Sequence, residues 1–240
     1  MSDRHLHDQL MRRLSWQKQA HELERRDHVL AKYLPELRKW QSERLRVSFK
    51  RFIDNPQTRP AAEFFLSDLY GDQEFLKRDQ EAAKILPAMS KILPANLLRA
   101  AVDAIELSVL SHALDMRMAR LLSTTLQHGQ SLDSETYQAV YRQLGYPRLR
   151  MRQLTLIMDV GYRLDAVVQK HGIAKLLSAS RLPARLLGLQ HLQGFLERGF
   201  KAFNHLGGAD YFLSEIYQQE SVISTRMFNG QQNPFQAPFS

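Results

Sequence analysis

The sequence predicts an all-α fold, a multi-helix bundle of about eight to ten mostly antiparallel helices with some proline-kinked segments. Apolar residues recur at spacings of three and four along most of the 240 residues, as in amphipathic helices. The 11 glycines and 9 prolines fall mainly between these segments, where helices are expected to end. No stretch shows the alternation expected of strands. With 44% apolar residues, the chain can form a packed core.

The N-terminal part predicts a long charged helix that reaches about Ala31 and carries a thin apolar stripe at Leu6, Leu10 and Leu14. Pro35 is expected at the first position of a second helix. Residues 1–33 are therefore predicted to be a charged helical extension, and its stripe would permit a homodimer.

The middle of the chain predicts a short apolar helix from Pro60, with Gly71 as its C-terminal cap and Asp72 as the N-cap of the next helix. Pro87 and Pro94 are expected to break or kink the chain, because proline lacks an amide donor. A long apolar helix from about 96 to 126 is predicted to lie at the centre of the core.

The C-terminal half predicts a helix capped by Ser131 or Asp133 that stops at Gly145 and Pro147. Further helices follow as far as about residue 228. Residues 34–229 are thus predicted to form a single helical-bundle domain. The remaining residues, 230–240, are expected to be a flexible tail containing Phe and Pro.

One segment carries a recognisable motif, FFLxDLYG...F..RD, formed by Phe64-Phe65-Leu66, Asp68-Leu69-Tyr70-Gly71, Phe75 and Arg78-Asp79. It resembles the signature of an uncharacterised family of helical proteins from proteobacteria, and the resemblance extends from about residue 40 to 220. A proline commonly follows DLYG in that family, whereas this chain has Asp72. The resemblance implies a helical bacterial protein and assigns no catalytic residue.

Composition excludes several classes of function. The chain has no cysteine, so disulfides, thiolate nucleophiles and iron–sulfur clusters are excluded. The first thirty residues lack the apolar region of a signal peptide, and no run of about 18 apolar residues is present. We therefore expect a cytoplasmic protein without a transmembrane segment. No phosphate-binding glycine loop occurs, and no cofactor is predicted.

Charge is unevenly distributed along this basic chain. The net charge of +8 divides into +6 for residues 1–60, −4 for 61–115, +8 for 116–205 and −2 for the remainder. Such a distribution favours an anionic or acidic partner without identifying it.

A polar group on the central predicted helix is the first candidate site. Ser108, His112 and Asp115 share one face at spacings i, i+4 and i+7. They could form a polar pocket for an enzyme, a small ligand or a metal together with four further residues, Asp68, Arg78, Asp79 and Glu106. The alternative interpretation is a set of buried polar residues satisfied by hydrogen bonds.

A second group, His21, Glu24 and His28, shares a predicted helical face with a geometry that could chelate zinc, but within a run of alternating charges a solvated helix is the favoured interpretation. The Glu-x-x-His spacing of di-iron bundles is absent. We therefore expect no metal, with these three residues, His112 and Asp115 as weak candidate ligands.

A third group could bind nucleic acid or another anion through Arg142, Arg148, Arg150 and Arg152, which lie near Tyr141 and Tyr146. The alternation of the last three arginines would spread them over more than one helix face. A solvated basic surface is the alternative.

These observations favour a binding or regulatory module over an enzyme. The leading hypothesis is that the basic N-terminal helix and the Phe-bearing tail engage a protein or anionic partner. The alternatives are an enzyme or a ligand- or metal-binding protein with a pocket around Asp79, His112 and Asp115, and a nucleic-acid binder through residues 142–152.

Overall fold

The computed structural model describes residues 3–69, 74–89, 95–126 and 130–236. Within these ranges the protein is helical, contains no strand and has a π-helical turn at Phe65–Leu69, so the all-α prediction is confirmed. The helices are α1 (Asp3–Arg26), α2 (His28–Ser48), α3 (Lys50–Asp54), α4 (Arg59–Phe64), α5 (Glu74–Met89), α6 (Ala95–Thr125), α7 (Ser134–Leu144), α8 (Pro147–Val168), α9 (Ile173–Ala179), α10 (Arg181–Leu186), α11 (Gln190–Leu206) and α12 (Asp210–Phe228).

The long helix α6 is the centre of one half of the molecule, where it packs against α1, α2, α7 and α8. The apolar stripe of α1, Leu6, Leu10 and Leu14, is buried against Leu98, Val102 and Ile105 of α6. The N-terminal helix therefore lies along the bundle, and its stripe is covered within the same chain.

A second buried cluster, called here the aromatic core, joins α2, α3, α4, α8, α11 and α12. Its aromatic members are Phe49, Phe52, Phe64, Phe65, Phe203 and Phe212. The ring of Phe212 lies 5.1 Å from that of Phe52 and 5.6 Å from that of Phe65, both nearly perpendicular. Such edge-to-face contacts add to the burial of large apolar surfaces.

The boundary between α1 and α2 differs from the prediction. Asp27 adopts an extended backbone and accepts hydrogen bonds from the amides of Val29 and Leu30, so it is the N-cap of α2. Pro35 lies inside this helix, and its prediction as the first helical residue was wrong. The cap at Asp27 supplies the helix start that the proline was expected to provide.

Other predicted boundaries agree with the structure. Asp133 caps α7, which ends at Gly145, and Pro147 is the first residue of α8. Pro87, in contrast, lies inside α5, so the helix does not break at this proline. The predicted caps Gly71 and Asp72, and the predicted break at Pro94, fall outside the described residues.

The C-terminal segment returns to the bundle. The ring of Phe235 lies 5.5 Å from that of Trp40 and 6.1 Å from that of Tyr137. The segment before residue 237 is thus in contact with α2 and α7. Among the helices that the structure describes, none is both long and apolar enough to cross a membrane.

Candidate metal centre

The apolar stripes of α1 and α6 continue into polar residues, and this places a polar group in the interior. On α1 the heptad-like positions Leu10 and Leu14 are followed by Gln17, His21 and Glu24. Since the same helix face packs against α6, these side chains are buried or partly buried at the helix contact.

His21, Glu24, Asp79 and His112, called here the histidine cluster, meet where α1, α5 and α6 contact one another. The Nε2 atom of His112 lies 3.3 Å from Oε2 of Glu24, and Nδ1 of His21 lies 3.7 Å from the same oxygen. The other nitrogen of His21, Nε2, lies 3.8 Å from Oδ2 of Asp79. Side-chain exposure is 6% for His112 and 13% for His21, so the cluster is largely shielded from solvent.

Asp79 is held in place from three directions. Its Oδ2 accepts hydrogen bonds from Nε2 of Gln17 at 2.6 Å and from Oγ of Ser108 at 3.1 Å. Arg78 pairs with the other carboxylate oxygen at 3.2 Å and donates to the backbone carbonyl of Asp68. Gln17, Ser108 and Arg78 therefore fix the position of the carboxylate that faces His21.

Arg38 of α2 defines the tautomer of His112. Its Nη2 lies 2.9 Å from Nδ1 of His112, and its Nη1 lies 3.3 Å from Oε1 of Glu24. Because a guanidinium only donates, Nδ1 of His112 accepts and the ring proton lies on Nε2, facing Glu24. That nitrogen and both nitrogens of His21 are buried without a hydrogen-bond partner among the described residues.

The two imidazoles hold opposite protonation states although their ring centres are 5.0 Å apart. Burial disfavours the charged form of His21, but the carboxylates of Asp79 and Glu24 outweigh it and raise its pKa to about 9. Burial lowers the pKa of His112 to about 4, with Arg38 and His21 acting in the same direction. At neutral pH, His21 is thus an imidazolium and His112 is neutral.

This arrangement has the donor set of a transition-metal site. One ligand atom each from His21, Glu24 and His112 lies within 4.8 Å of the others. Metal–ligand bonds of about 2.0–2.2 Å place neighbouring tetrahedral donors roughly 3.3 Å apart, so small side-chain movements would close the site. With the metal on Nδ1 of His21, Nε2–H would face Asp79, the outer-carboxylate arrangement common around metal-bound histidines.

The structure separates several residues that the sequence grouped. His28 is exposed at the start of α2, because Asp27 interrupts the helix and ends the register that His28 shared with His21 and Glu24. Glu106 lies on a different part of α6, where it pairs with Arg13 and Arg152. Asp115 accepts from Gln41 of α2 at 3.1 Å.

Asp68 contributes to the neighbourhood through its backbone, while its carboxylate pairs with Arg198. Ser108, His112 and Asp115 do share one face of α6, as predicted, but each contacts a different partner. Asp115 therefore does not orient His112, in contrast to the expectation from their spacing.

The four predicted anion-binding arginines do not form one surface. Arg150 is 6% exposed and stacks on Tyr141, with 4.5 Å between the guanidinium carbon and the ring centre. Arg152 pairs with Glu106, whereas Arg142 and Arg148 are exposed. These four arginines therefore do not make up one continuous basic face.

Sequence reasoning missed Gln17, Arg38 and Gln41. A signal was present, since Gln17 continues the stripe of Leu10 and Leu14, and Gln41 occupies a stripe position between Leu37 and Leu45. A polar residue on an otherwise apolar stripe indicates a buried polar contact. Arg38 lies beside its stripe and carries no comparable signal.

The fold and this geometry define an all-α protein with a buried histidine–carboxylate centre. A sequence profile described as a domain of unknown function, DUF8198, matches residues 20–234, so the chain belongs to this family. All four residues of the histidine cluster lie within the matched segment. Comparison with curated proteins and with solved structures finds no match to this chain.

Proposed function

We propose that this protein binds one divalent first-row transition metal ion at the histidine cluster. The observation that supports this function is the convergence of His21, Glu24 and His112 from two helices, with buried imidazole nitrogens that lack hydrogen-bond partners among the described residues. A buried polar atom without a partner is costly, and a metal ion would satisfy Nδ1 of His21 and Nε2 of His112 together.

Two imidazoles and one carboxylate are donors that suit Zn²⁺ or Fe²⁺. His21, Glu24 and His112 would be the ligands, and Asp79 would accept a hydrogen bond from His21. Three protein ligands leave a coordination position for water, the arrangement found in catalytic rather than structural zinc sites.

Metal binding would also rearrange α2 contacts. A metal on Nε2 of His112 requires a proton on Nδ1, which now accepts from Arg38. Arg38 would therefore leave His112, and His21 would lose its proton. The affinity for metal should increase with pH below the His21 pKa of about 9. Because Arg38 belongs to α2, metal binding would change a contact between that helix and the site. This link gives the site a regulatory character.

The test is a titration of chelator-treated, metal-free protein with Zn²⁺ and Co²⁺ in competition with a chromophoric chelator. We expect one ion per chain, and Co²⁺ absorption in the visible range typical of four or five ligands. Glu24→Gln and His21→Gln should weaken binding by roughly a hundredfold or more, and Asp79→Asn by roughly 10–100-fold.

The matched control is His28→Gln, since His28 is exposed and lies seven residues from His21. It should bind as the unsubstituted protein does. Substoichiometric binding by the unsubstituted protein, or equal affinity in Glu24→Gln and His28→Gln, would refute the proposal. Circular dichroism of each variant checks that the helices are retained.

A second candidate function is supported by α9 and α10. Leu176, Leu182, Leu186 and Leu187 are 64–78% exposed. Residues 166–196 contain four Lys or Arg and no Asp or Glu, and of these four Arg181 pairs with Glu197 just beyond the range. Exposed leucines beside basic residues suit the surface of an anionic membrane. This segment, rather than the packed α1 or the Phe235 segment, is where we place the anionic partner.

Co-sedimentation with vesicles distinguishes this function from protein binding. Vesicles of phosphatidylcholine and phosphatidylglycerol should bind the protein, and pure phosphatidylcholine vesicles should bind it weakly. The double substitution Leu182→Ser and Leu186→Ser should reduce binding by roughly tenfold or more, because inserting one leucine is worth about 1.5–3 kcal/mol. Val47→Ser, at a position 76% exposed, is the control. Absence of binding to the anionic vesicles would exclude this function.

A further inference from the structure

A small cavity lies between α2, α6, α7, α8 and α12, away from the four residues of the histidine cluster. Its volume is about 80 Å³, which is room for roughly two or three water molecules or one small organic molecule. Part of its wall is polar, with Asp115, Arg150 and Ser224, and part is apolar, with Leu45 and Ile216. We call it the Arg150 cavity.

Arg150 is an unusual residue for this position. Its guanidinium lies against the ring of Tyr141, donates to Oε1 of Gln153 at 3.3 Å and contacts the sulfur of Met118 at 2.9 Å. Its Nε is buried and has no hydrogen-bond partner within the described part of the chain. In those same ranges, no carboxylate lies within ion-pair distance of this buried cation.

The other charged groups of the cavity wall do not neutralise Arg150. Glu220 is paired with Arg44. Asp115 is hydrogen-bonded to Gln41, and burial raises its pKa more than the charge of Arg150 lowers it, which favours its neutral form. An isolated buried charge is expensive, so the cavity is complementary to a single negative charge.

The volume and the lining of the Arg150 cavity limit the kind of ligand that it can bind. A guanidinium binds a carboxylate through parallel hydrogen bonds, and the apolar wall can cover a short hydrocarbon chain. A doubly charged phosphate would find only one unpaired cation here, and a cavity of about 80 Å³ suits a small anion. These properties favour a monoanion with a small apolar body.

We propose that the Arg150 cavity binds a small organic monocarboxylate, between acetate and butyrate in size. Its carboxylate interacts with Arg150, and its hydrocarbon chain lies against the wall formed by Leu45 and Ile216. The site uses none of the histidine-cluster residues. Carboxylate binding can therefore be absent while metal binding is present, and the reverse.

The experiment is calorimetric and thermal-shift titration of the full chain with acetate, propionate and butyrate, using propionamide as the neutral counterpart of propionate. Propionate should bind more tightly than propionamide by roughly tenfold or more, the effect of a hydrogen bond to a charged group. Inorganic phosphate is tested beside them and should bind more weakly than propionate.

Two variants locate the binding. Arg150→Met should abolish the preference for propionate over propionamide, whereas Arg148→Met, at an exposed position two residues earlier, should retain it. Leu154→Phe keeps Arg150 and fills part of the cavity, so it should weaken butyrate binding more than acetate binding. The Leu154 variant tests the site even if Arg150→Met does not fold.

Three results would overturn the proposal. The first is that no carboxylate binds to the unsubstituted chain, in which case the cavity holds only water. The second is equal binding of propionate and propionamide. The third is carboxylate binding that is unchanged in Leu154→Phe, because the ligand would then lie outside the cavity.

Discussion

The aromatic core and the histidine cluster are both buried between helices, yet opposite physical effects stabilise them. Phe52 and Phe212 are each at most 2% exposed, and their rings contact each other edge to face, a contact that does not titrate. His21 and His112 are also shielded, but their burial depends on neighbouring charges. One fold therefore contains a rigid apolar region and a second region whose stability responds to protons and ions.

The largest effect is expected in the aromatic core. Phe212→Ala should lower the free energy of unfolding by about 3–5 kcal/mol, because it removes a fully buried ring and leaves a cavity. The loss should be the same at every pH where the protein folds. Urea denaturation measures it. Tyr211→Ala, at a neighbouring position 61% exposed, is the control and should change stability by less than about 0.5 kcal/mol.

The histidine cluster should make stability depend on pH in two windows. The raised pKa of His21 contributes stability that is present below 6.5 and is lost as pH rises toward about 9. The lowered pKa of His112 means that stability present above 6.5 is lost as pH falls toward about 4. Each loss should be roughly 3 kcal/mol, giving maximal stability near neutral pH.

Urea denaturation of metal-free protein at several pH values from 4 to 9 tests these windows. His112→Gln should flatten the acidic side, and His21→Gln should flatten the alkaline side. Phe212→Ala should shift the whole curve downward without changing its shape. A stability that does not vary across both windows would show that the imidazoles do not have these shifted pKa values.

A metal ion should strengthen only one of the two regions. At a free Zn²⁺ concentration one hundred times the Kd, the free energy of unfolding should rise by about 2.7 kcal/mol. The increase should persist in Phe212→Ala and disappear in Glu24→Gln. Denaturation with and without Zn²⁺ measures it, and an equal increase in Glu24→Gln would assign the ion to another site.

The smallest effect is expected at the junction of α1 and α2. Asp27→Ala removes a cap and should lower the free energy of unfolding by about 1 kcal/mol. Asp133→Ala, which removes the cap of α7, should have a similar effect on stability. Only Asp27→Ala should also weaken metal binding, because α1, which carries His21 and Glu24, ends at Arg26, immediately before this cap. Chelator competition on both variants distinguishes the two effects.

Local chemistry determined the helices of this protein. The spacing of apolar residues indicated the all-α fold and the long central α6, and capping preferences identified Asp133, Gly145 and Pro147. Pro35 misled the prediction because proline suits a helix start, while Asp27 supplied a better one eight residues earlier in a helix that could accommodate the proline.

The sequence also determined which side chains share a helix face. Ser108, His112 and Asp115 line one side of α6 because a helix repeats every 3.6 residues. Helical periodicity carries no information about which helix packs opposite that face. The contacts of His112 with Glu24 and Arg38, 88 and 74 residues away, were therefore decided only by tertiary packing.

Tertiary packing likewise decided which charged side chains are exposed, buried or paired. Arg148, Arg150 and Arg152 have the same chemistry in the sequence, yet the first is exposed, the second is buried against Tyr141 and the third pairs with Glu106. A side chain's charge is local, but its desolvation and its partners depend on everything packed around it. For this reason the sequence by itself determined the helices and their faces, and only the folded arrangement decided which polar residues became sites.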